Sequence, residues 1–254
     1  MRKDFTGMGG ITTDLRTGLA FCTRLPVAAG EPANLAQAAW SFPVVGALVG
    51  GAGALLYWLA ALVGLAPFIS ATLAVAATAL ITGCLHEDGL ADTADGFGGG
   101  ATKERKLEIM RDSRSGAYGV VALIVSFMLR VATIASLAGP GLVAAALIAA
   151  HAGARAAIPV FMRAVPNARQ DGLSAGAGTP PTGSTTIAAL LGLLALTLSL
   201  GVGAGVAAAL MVAAGLIVMA RLSLKQIGGQ TGDVLGAVEQ LSEIMILLAA
   251  AALL

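Results

Sequence analysis

Apolar positions fall in long blocks along this chain, and the blocks are longer than a soluble core helix needs. From Pro32 to Leu85 there is no charged residue at all. Later blocks at 118–138, 141–162, 185–200, 203–220 and 234–254 carry at most two charges each. A helix that spans a bilayer needs about 20 predominantly apolar residues. The pattern therefore predicts an all-α polytopic membrane protein of about seven transmembrane helices: 40–65, 67–85 and the five later blocks. Breaks at "LAP", "AGP" and "LGVG" are short turns suited to antiparallel hairpins. The division of 185–220 into two arms is the least marked of them.

Ahead of the first block, Asp14 to Leu25 places Leu15, Leu19 and Cys22 on one helical side, flanked by Arg16 and Arg24. This predicts an interfacial segment, or a structural arm, within residues 1–30. The first residues do not read as a signal peptide, because Asp4 follows the basic pair and no apolar core precedes Asp14. The whole chain, 1–254, is expected to form one integral-membrane domain with a cytoplasmic active-site loop at 86–117. Gly46 and Gly50 sit four apart in "VVGALVGGAGALL", a spacing of small residues that lets helix backbones approach and permits self-association.

Composition sharpens the membrane reading. Only 11% of residues are charged and 57% are hydrophobic, with mean hydropathy +0.87. A soluble domain carries about 25% charged residues. The net charge of +1 excludes a bulk electrostatic case for nucleic acid. Cys22 and Cys84 lack metal-ligand spacing and read as packing residues.

Charge placement adds an orientation. Arg2, Lys3, Arg16 and Arg24 precede the first span; Lys103, Arg105, Lys106, Arg111 and Arg114 follow the second. Arg163 and Arg169 follow the fourth, and Arg221 and Lys225 the sixth, while the alternate loops are uncharged. The positive-inside rule makes the basic side cytoplasmic, in a multi-pass cytoplasmic (inner) membrane. At membrane depth stand only Arg130, His151, Arg155, Glu239 and Glu243, each expected to face the bundle interior. A transporter needs polar groups along a route through the bilayer. Polar chemistry gathered on one face suits instead an enzyme fed from the cytoplasm.

The chemistry concentrates in "HEDGLADTADGFGGG", His86 to Gly100. If the second span continues as a helix, Asp88, Asp92 and Asp95 fall in a stripe about 60° wide and about 10 Å long. Like charges at that spacing repel and call for a cation. An all-oxygen donor set without cysteine favours Mg²⁺ or Mn²⁺ over zinc. Glu87 lies outside the stripe and is a further ligand candidate, while His86 is farther round. The competing reading is a solvated acidic loop paired with "KERK".

Other segments share that face. In "RDSRSGAYG", Arg111, Asp112, Arg114 and the amide of Gly116 form a candidate phosphate or carboxylate site. "NARQDGLSAG" supplies Arg169 and Asp171; "GGQTGDVLGA" supplies Thr231, which could cradle phosphate or ribose, and Asp233 as a metal-ligand candidate.

Taken together, "HEDGLADTADG", "EIMRDSRSGAYG" and "GGQTGDVLGA" resemble cobalamin synthase, the adenosylcobinamide-GDP ribazoletransferase family. "FCTRLPV", "WSFPVVG" and "ARQDGLSAG" extend the resemblance along most of the chain. It implies a Mg²⁺-dependent multi-pass enzyme with adenosylcobinamide-GDP and α-ribazole, or its 5′-phosphate, as substrates, completing cobalamin with release of GMP. Asp88, Asp92 and Asp95 would then hold the metal, Arg111 and Arg114 would neutralise phosphate oxygens, and an aspartate or His86 would take the hydroxyl proton. The alternatives are another Mg²⁺-dependent membrane phospho- or prenyltransferase, or a transporter. The arginine of a D-G-x-x-A-R element is absent after Ala91, where Asp92 stands, and no second Asp-x-x-x-Asp cluster occurs.

Overall fold

The structure, a computed structural model, describes residues 10–29, 34–137 and 139–254. Arg2 and Lys3, counted among the basic residues above, and the last residue of the expected 118–138 span lie outside the described residues. Eleven α-helices follow one another among the described residues: α1 (Ile11–Cys22), α2 (Leu35–Ala38), α3 (Phe42–Leu62), α4 (Pro67–Thr82), α5 (Leu85–Gly99), α6 (Lys103–Ile109), α7 (Ala117–Leu137), α8 (Pro140–Ala164), α9 (Leu173–Ala177), α10 (Thr182–Ile227) and α11 (Gly232–Leu253). A 3₁₀ turn, Ala39–Ser41, joins α2 to α3. Proline in the first turn opens α3, α4 and α8, where its missing N–H costs no helical bond.

Five helices are long and apolar enough to cross a membrane: Leu35–Leu62, Ala117–Leu137, Pro140–Ala164, Thr182–Ile227 and Gly232–Leu253. A sixth results if α4 and α5 are taken as one bent pair. Length and composition thus return five or six where the sequence pattern suggested about seven. Part of the difference lies in α10, which is not a single rod. Gly201 has φ 79° and ψ 160°, and a Cβ on Gly205 would lie 2.7 Å from Thr197 Cα. Eight residues along one helix are about 12 Å apart, so the arms 182–200 and 202–227 double back on one another. The "LGVG" break is a hairpin, as its composition suggested.

α8 and α11 form the interior of the bundle. α8 packs against α3, α10 and α11, and α11 packs against α5. Outward faces are apolar, with Leu55, Leu80, Met128, Leu198 and Leu210 exposed, as a lipid-facing surface requires. Gly46 and Gly50 do serve close helix approach, but within the chain. A Cβ on either would collide with the α8 backbone, at the carbonyls of His151 and Leu147. The glycine face that permitted self-association is covered by α8.

The N-terminal segment also differs from an interfacial float. α1 buries Asp14, Thr17, Gly18 and Cys22 against the bundle, leaving Leu15 and Leu19 only partly covered. Asp14 accepts from Trp40 Nε1 at 2.8 Å, which ties α1 to the entrance of α3. The hydrogen bond outweighs the modest apolar stripe in setting which side faces inward.

Two glycine substitutions separate packing from propensity. Gly50→Leu is expected to destabilise strongly, because the α8 backbone cannot yield. Gly51→Ala, in open space on the same helix, should stabilise by about 0.5–1 kcal/mol. Thermal unfolding in detergent reads both; equal effects would refute the tight α3–α8 seam.

Candidate active site

The stripe carries over to the structure on a helix of its own. α4 ends at Gly83 in the left-handed region (φ 65°), and Cys84 follows with φ 56°. The axis then turns by 90° into α5. The expected straight continuation of the second span through 85 is therefore corrected, and residues 86–117 are mostly helix rather than loop. The turn lays α5 between α7 and α11. His86 and Glu87 point into the bundle, Asp88 is exposed, Asp92 is half-buried and Asp95 is buried.

Asp95 already has partners. Its Oδ2 accepts from Gly116 N at 2.7 Å and its Oδ1 from Gly119 N at 2.8 Å. The carboxylate thus satisfies amides at the start of α7 that have no intrahelical partner. Gly116 is required there, since a Cβ would lie 2.5 Å from Asp95 Oδ1. The Gly116 amide, expected to face a phosphate, is held by Asp95.

Asp88 and Asp92 meet Asp233, from the first turn of α11, across a backbone-to-backbone crossing. A Cβ on Gly89 would lie 2.7 Å from the Asp233 carbonyl oxygen, and one on Gly236 3.1 Å from Gly89 Cα. Burial pushes the Asp92 carboxyl up to about 7; the neighbouring Asp88, Asp233 and Asp95 charges add to this, and Arg169 opposes it. Arg169 Nη2 stands 3.5 Å from Asp233 Oδ2, Nε stands 3.6 Å from Asp171 Oδ1, and Nη1 is buried without a partner.

Two loops hold Arg169 and Asp233 in place. Ala168 N donates to the Gln230 carbonyl and Gln230 N to the Pro166 carbonyl, each at 2.8 Å. Ser174 Oγ donates to Gln230 Oε1 at 2.7 Å. Thr231 caps α11, its Oγ1 accepting from Val234 N at 3.4 Å and donating to Asp233 Oδ2 at 3.0 Å. The hydroxyl expected to cradle phosphate or ribose orients Asp233 instead.

Arg111 and Arg114 stand farther out. Arg111 Nη2 pairs with Asp171 at 2.7 Å, and Arg114 Nη2 with Asp112 at 2.7 Å. Hydrogen bonds from Arg114 hold the Asp112 carboxyl down at about 2. These pairs are exposed, where water screens their attraction, so a competing anion can open them.

Beneath the rim lies a buried charge layer that the sequence showed only in part. Arg130 Nη1 reaches Glu87 Oε1 at 3.1 Å and Glu243 Oε1 at 3.4 Å, with its guanidinium carbon 4.7 Å from the centroid of Phe127. Arg155 Nη1 reaches Glu239 Oε1 at 2.7 Å and His151 Nδ1 at 3.0 Å. His86 Nδ1 lies 3.7 Å from Glu239 Oε2, and Gln240 Nε2 donates to both Glu239 and Glu87. Glu87 thus faces away from the aspartates and belongs to this layer, as does His86. The readable signal was the matched i, i+4 spacing of His151/Arg155 on α8 and Glu239/Glu243 on α11.

Two places could draw a cation. His151, Glu239 and Glu243 offer ligand atoms within 4.8 Å of one another, but Arg155 and Arg130 already supply the positive charge. The rim differs. Asp88, Asp92 and Asp233 are hard oxygen donors with Arg169 beside them; burial chiefly raises the Asp92 carboxyl, and the neighbouring carboxylates add to it. Their chemical type suits Mg²⁺, which keeps several waters and shares carboxylates with substrate phosphates, although among the described residues it is the His151, Glu239 and Glu243 atoms that converge within 4.8 Å.

An acidic rim at one end of an all-helical membrane bundle, over a neutralised interior, defines a membrane-embedded enzyme. The family model described as cobalamin-5-phosphate synthase matches residues 14–251. The chain belongs to this family. Among its relatives is an adenosylcobinamide-GDP ribazoletransferase of Bradyrhizobium diazoefficiens, 57% identical over 95% of this chain and 94% of its own. Proteins of the same name from Mesorhizobium japonicum and Azorhizobium caulinodans are each 48% identical over 94% of this chain, covering 93% and 95% of their own lengths. No solved structure matches the chain.

Two outcomes test this geometry. Arg130→Met strands Glu87 and Glu243 without their shared guanidinium and should cost about 3–5 kcal/mol. Adding Glu87→Gln and Glu243→Gln should recover most of it, read as melting temperature in detergent. For Asp92, the folded carboxyl titrates at about 7 against an ordinary 3.8. Between those values the folded chain holds a proton that the unfolded chain has lost, so stability falls as pH rises through this window and levels above it. Asp92→Asn should reduce that slope in melts without divalent cation, leaving the part that other raised carboxyls such as Asp233 contribute.

Proposed function

We propose that this protein transfers the adenosylcobinamide-phosphate moiety of adenosylcobinamide-GDP to a ribose hydroxyl of α-ribazole, or of its 5′-phosphate, and releases GMP. The observation that carries the reading is the convergence of Asp88 and Asp92 with Asp233 and Arg169 on one rim, in a chain of this family. Mg²⁺ is the proposed cofactor, held by Asp88, Asp92 and Asp233; when bound it supplies charge stabilisation for the pyrophosphate. Asp95 and Glu87 are not proposed as ligands, because α7 amides and Arg130 respectively engage them.

Transfer of this kind is chiefly positioning plus charge stabilisation. The ribazole oxygen forms a bond to the phosphorus attached to cobinamide, and that phosphorus parts from the oxygen leaving with GMP. The hydroxyl proton passes to a rim carboxylate; Asp88, exposed and at the edge of the adjoining cleft, is the proposed acceptor. Arg169, with its free Nη1, neutralises phosphate oxygens. Arg111 and Arg114 join it by leaving their surface partners. His86 is held at Glu239 and stays outside the proton path.

The distribution of basic loops supports a cytoplasmic face for this rim in the inner membrane. GMP release from adenosylcobinamide-GDP and α-ribazole by the purified protein in lipid tests the reading. Release should require Mg²⁺, and should fall about 100-fold or more in Asp92→Asn and Arg169→Ala while melting temperatures hold. Release that continues undiminished in a chelator would refute the metal; no release from folded protein would refute the reaction.

A further inference from the structure

Beside the rim a cleft of about 100 Å³ runs in between α1, α2, α3, α5, α8, α9 and α11. Its deep wall is apolar: Phe42, Ile158, Met162 and Leu235 are buried there, and Phe21 is partly covered. Phe21 and Phe42 stack, with ring centroids 5.8 Å apart and planes 15° apart, presenting aromatic surface to the space. Carboxylates occur on one side only, where Asp88 and Asp233 stand. The other polar wall residues are engaged elsewhere. Ser174 Oγ is hydrogen-bonded to Asn167 and Gln230, and His86 Nδ1 faces Glu239.

We propose that this cleft seats the heteroaromatic base of the nucleophilic substrate, the benzimidazole of α-ribazole, with its ribose toward Asp88 and Asp233. The inference rests on the reaction proposed above and specifies where one substrate binds. Among the parts of the two substrates, only this base matches the walls. Guanine carries polar groups along most of its edge, and burying them without partners is unfavourable. The corrinoid macrocycle, with its amide-bearing rim, is too large and too polar for the space. A benzimidazole is flat, can stack on an aromatic wall, and turns an apolar carbocyclic edge with two methyl groups to Ile158 and Met162. Its ribose then emerges beside the rim, which places the ribose hydroxyls next to Asp88 and Asp233. The cleft thereby acts as the specificity filter for the base.

Steady-state kinetics of GMP release in lipid tests this, with α-ribazole, the riboside lacking both methyls, and the α-riboside of adenine compared on the wild type. Loss of the two methyls should lower kcat/KM about ten-fold, and adenine should lower it further. Met162→Trp, which fills the cleft, should raise KM for α-ribazole at least ten-fold and leave KM for adenosylcobinamide-GDP unchanged. Ile158→Ala gives the milder version of the same split should the larger side chain fail to fold. A wild type indifferent to the methyls, or variants that raise KM for the GDP-linked substrate instead, would overturn the placement. So would a co-purifying lipid lost from Met162→Trp with neither KM changed, which would assign the cleft to an acyl chain. No GMP release by the wild type would sink the reaction itself, whereas release with the wrong selectivity sinks only the location of the base.

Discussion

The site depends on how closely α5 and α11 approach. Where they cross, Gly89 meets the Asp233 carbonyl and Gly236 meets Gly89, with no side chain between the backbones. A methyl group at either position would push the helices apart. Because they touch, Asp88 and Asp92 share one rim with Asp233, although some 140 residues separate them in the chain. The same crossing brings His86 and Glu87, one turn back on α5, down onto Glu239 and Gln240 of α11. One glycine contact therefore fixes both the exposed carboxylates and the buried charges below them.

The two layers are balanced differently, and the difference separates support from chemistry. Below, Glu87, Glu239 and Glu243 face Arg130 and Arg155 in a space closed to water. Ion pairs of this kind gain little net stability over apolar packing, but they fix the relative positions of α5, α7, α8 and α11. Above, the aspartates have one nearby guanidinium, and an imbalance of that kind favours a cationic or phosphate-bridging partner. Charge that is already neutralised positions the helices; charge that is not is available to a ligand.

The legible part of this molecule was what periodicity and composition control. The apolar blocks marked the helices, the Gly46/Gly50 spacing marked a close seam, and "LGVG" marked the reversal at Gly201. The three-aspartate stripe was readable because i, i+4, i+7 holds on any helix. Its surroundings were not. The turn at Gly83–Cys84 depends on two successive left-handed residues, one of them not glycine, and leaves little trace in a hydropathy pattern. The engagement of Asp95 by α7 amides, and of Glu87 by Arg130, depends on tertiary neighbours distant in sequence. Hence residues of one motif divided among three tasks: Asp88 and Asp92 on the rim, Asp95 capping a helix, and His86 and Glu87 in the interior. The polar loops behaved alike, with Thr231 and Gln230 holding Asp233 and Arg169 rather than facing a ligand.

The buried charge layer also bears on how the chain is made. Arg130 and Arg155 belong to α7 and α8, whereas Glu239 and Glu243 arrive on α11, which is synthesised after both. Until then Arg155 lacks its carboxylate, and Arg130 has only Glu87. An unpaired arginine at the centre of a lipid-exposed helix is unfavourable by about 2.5–3.5 kcal/mol. α11 thus completes the charge balance of the buried layer. A chain lacking it would leave Arg155 without its carboxylate and Arg130 with Glu87 alone, an electrically unbalanced bundle.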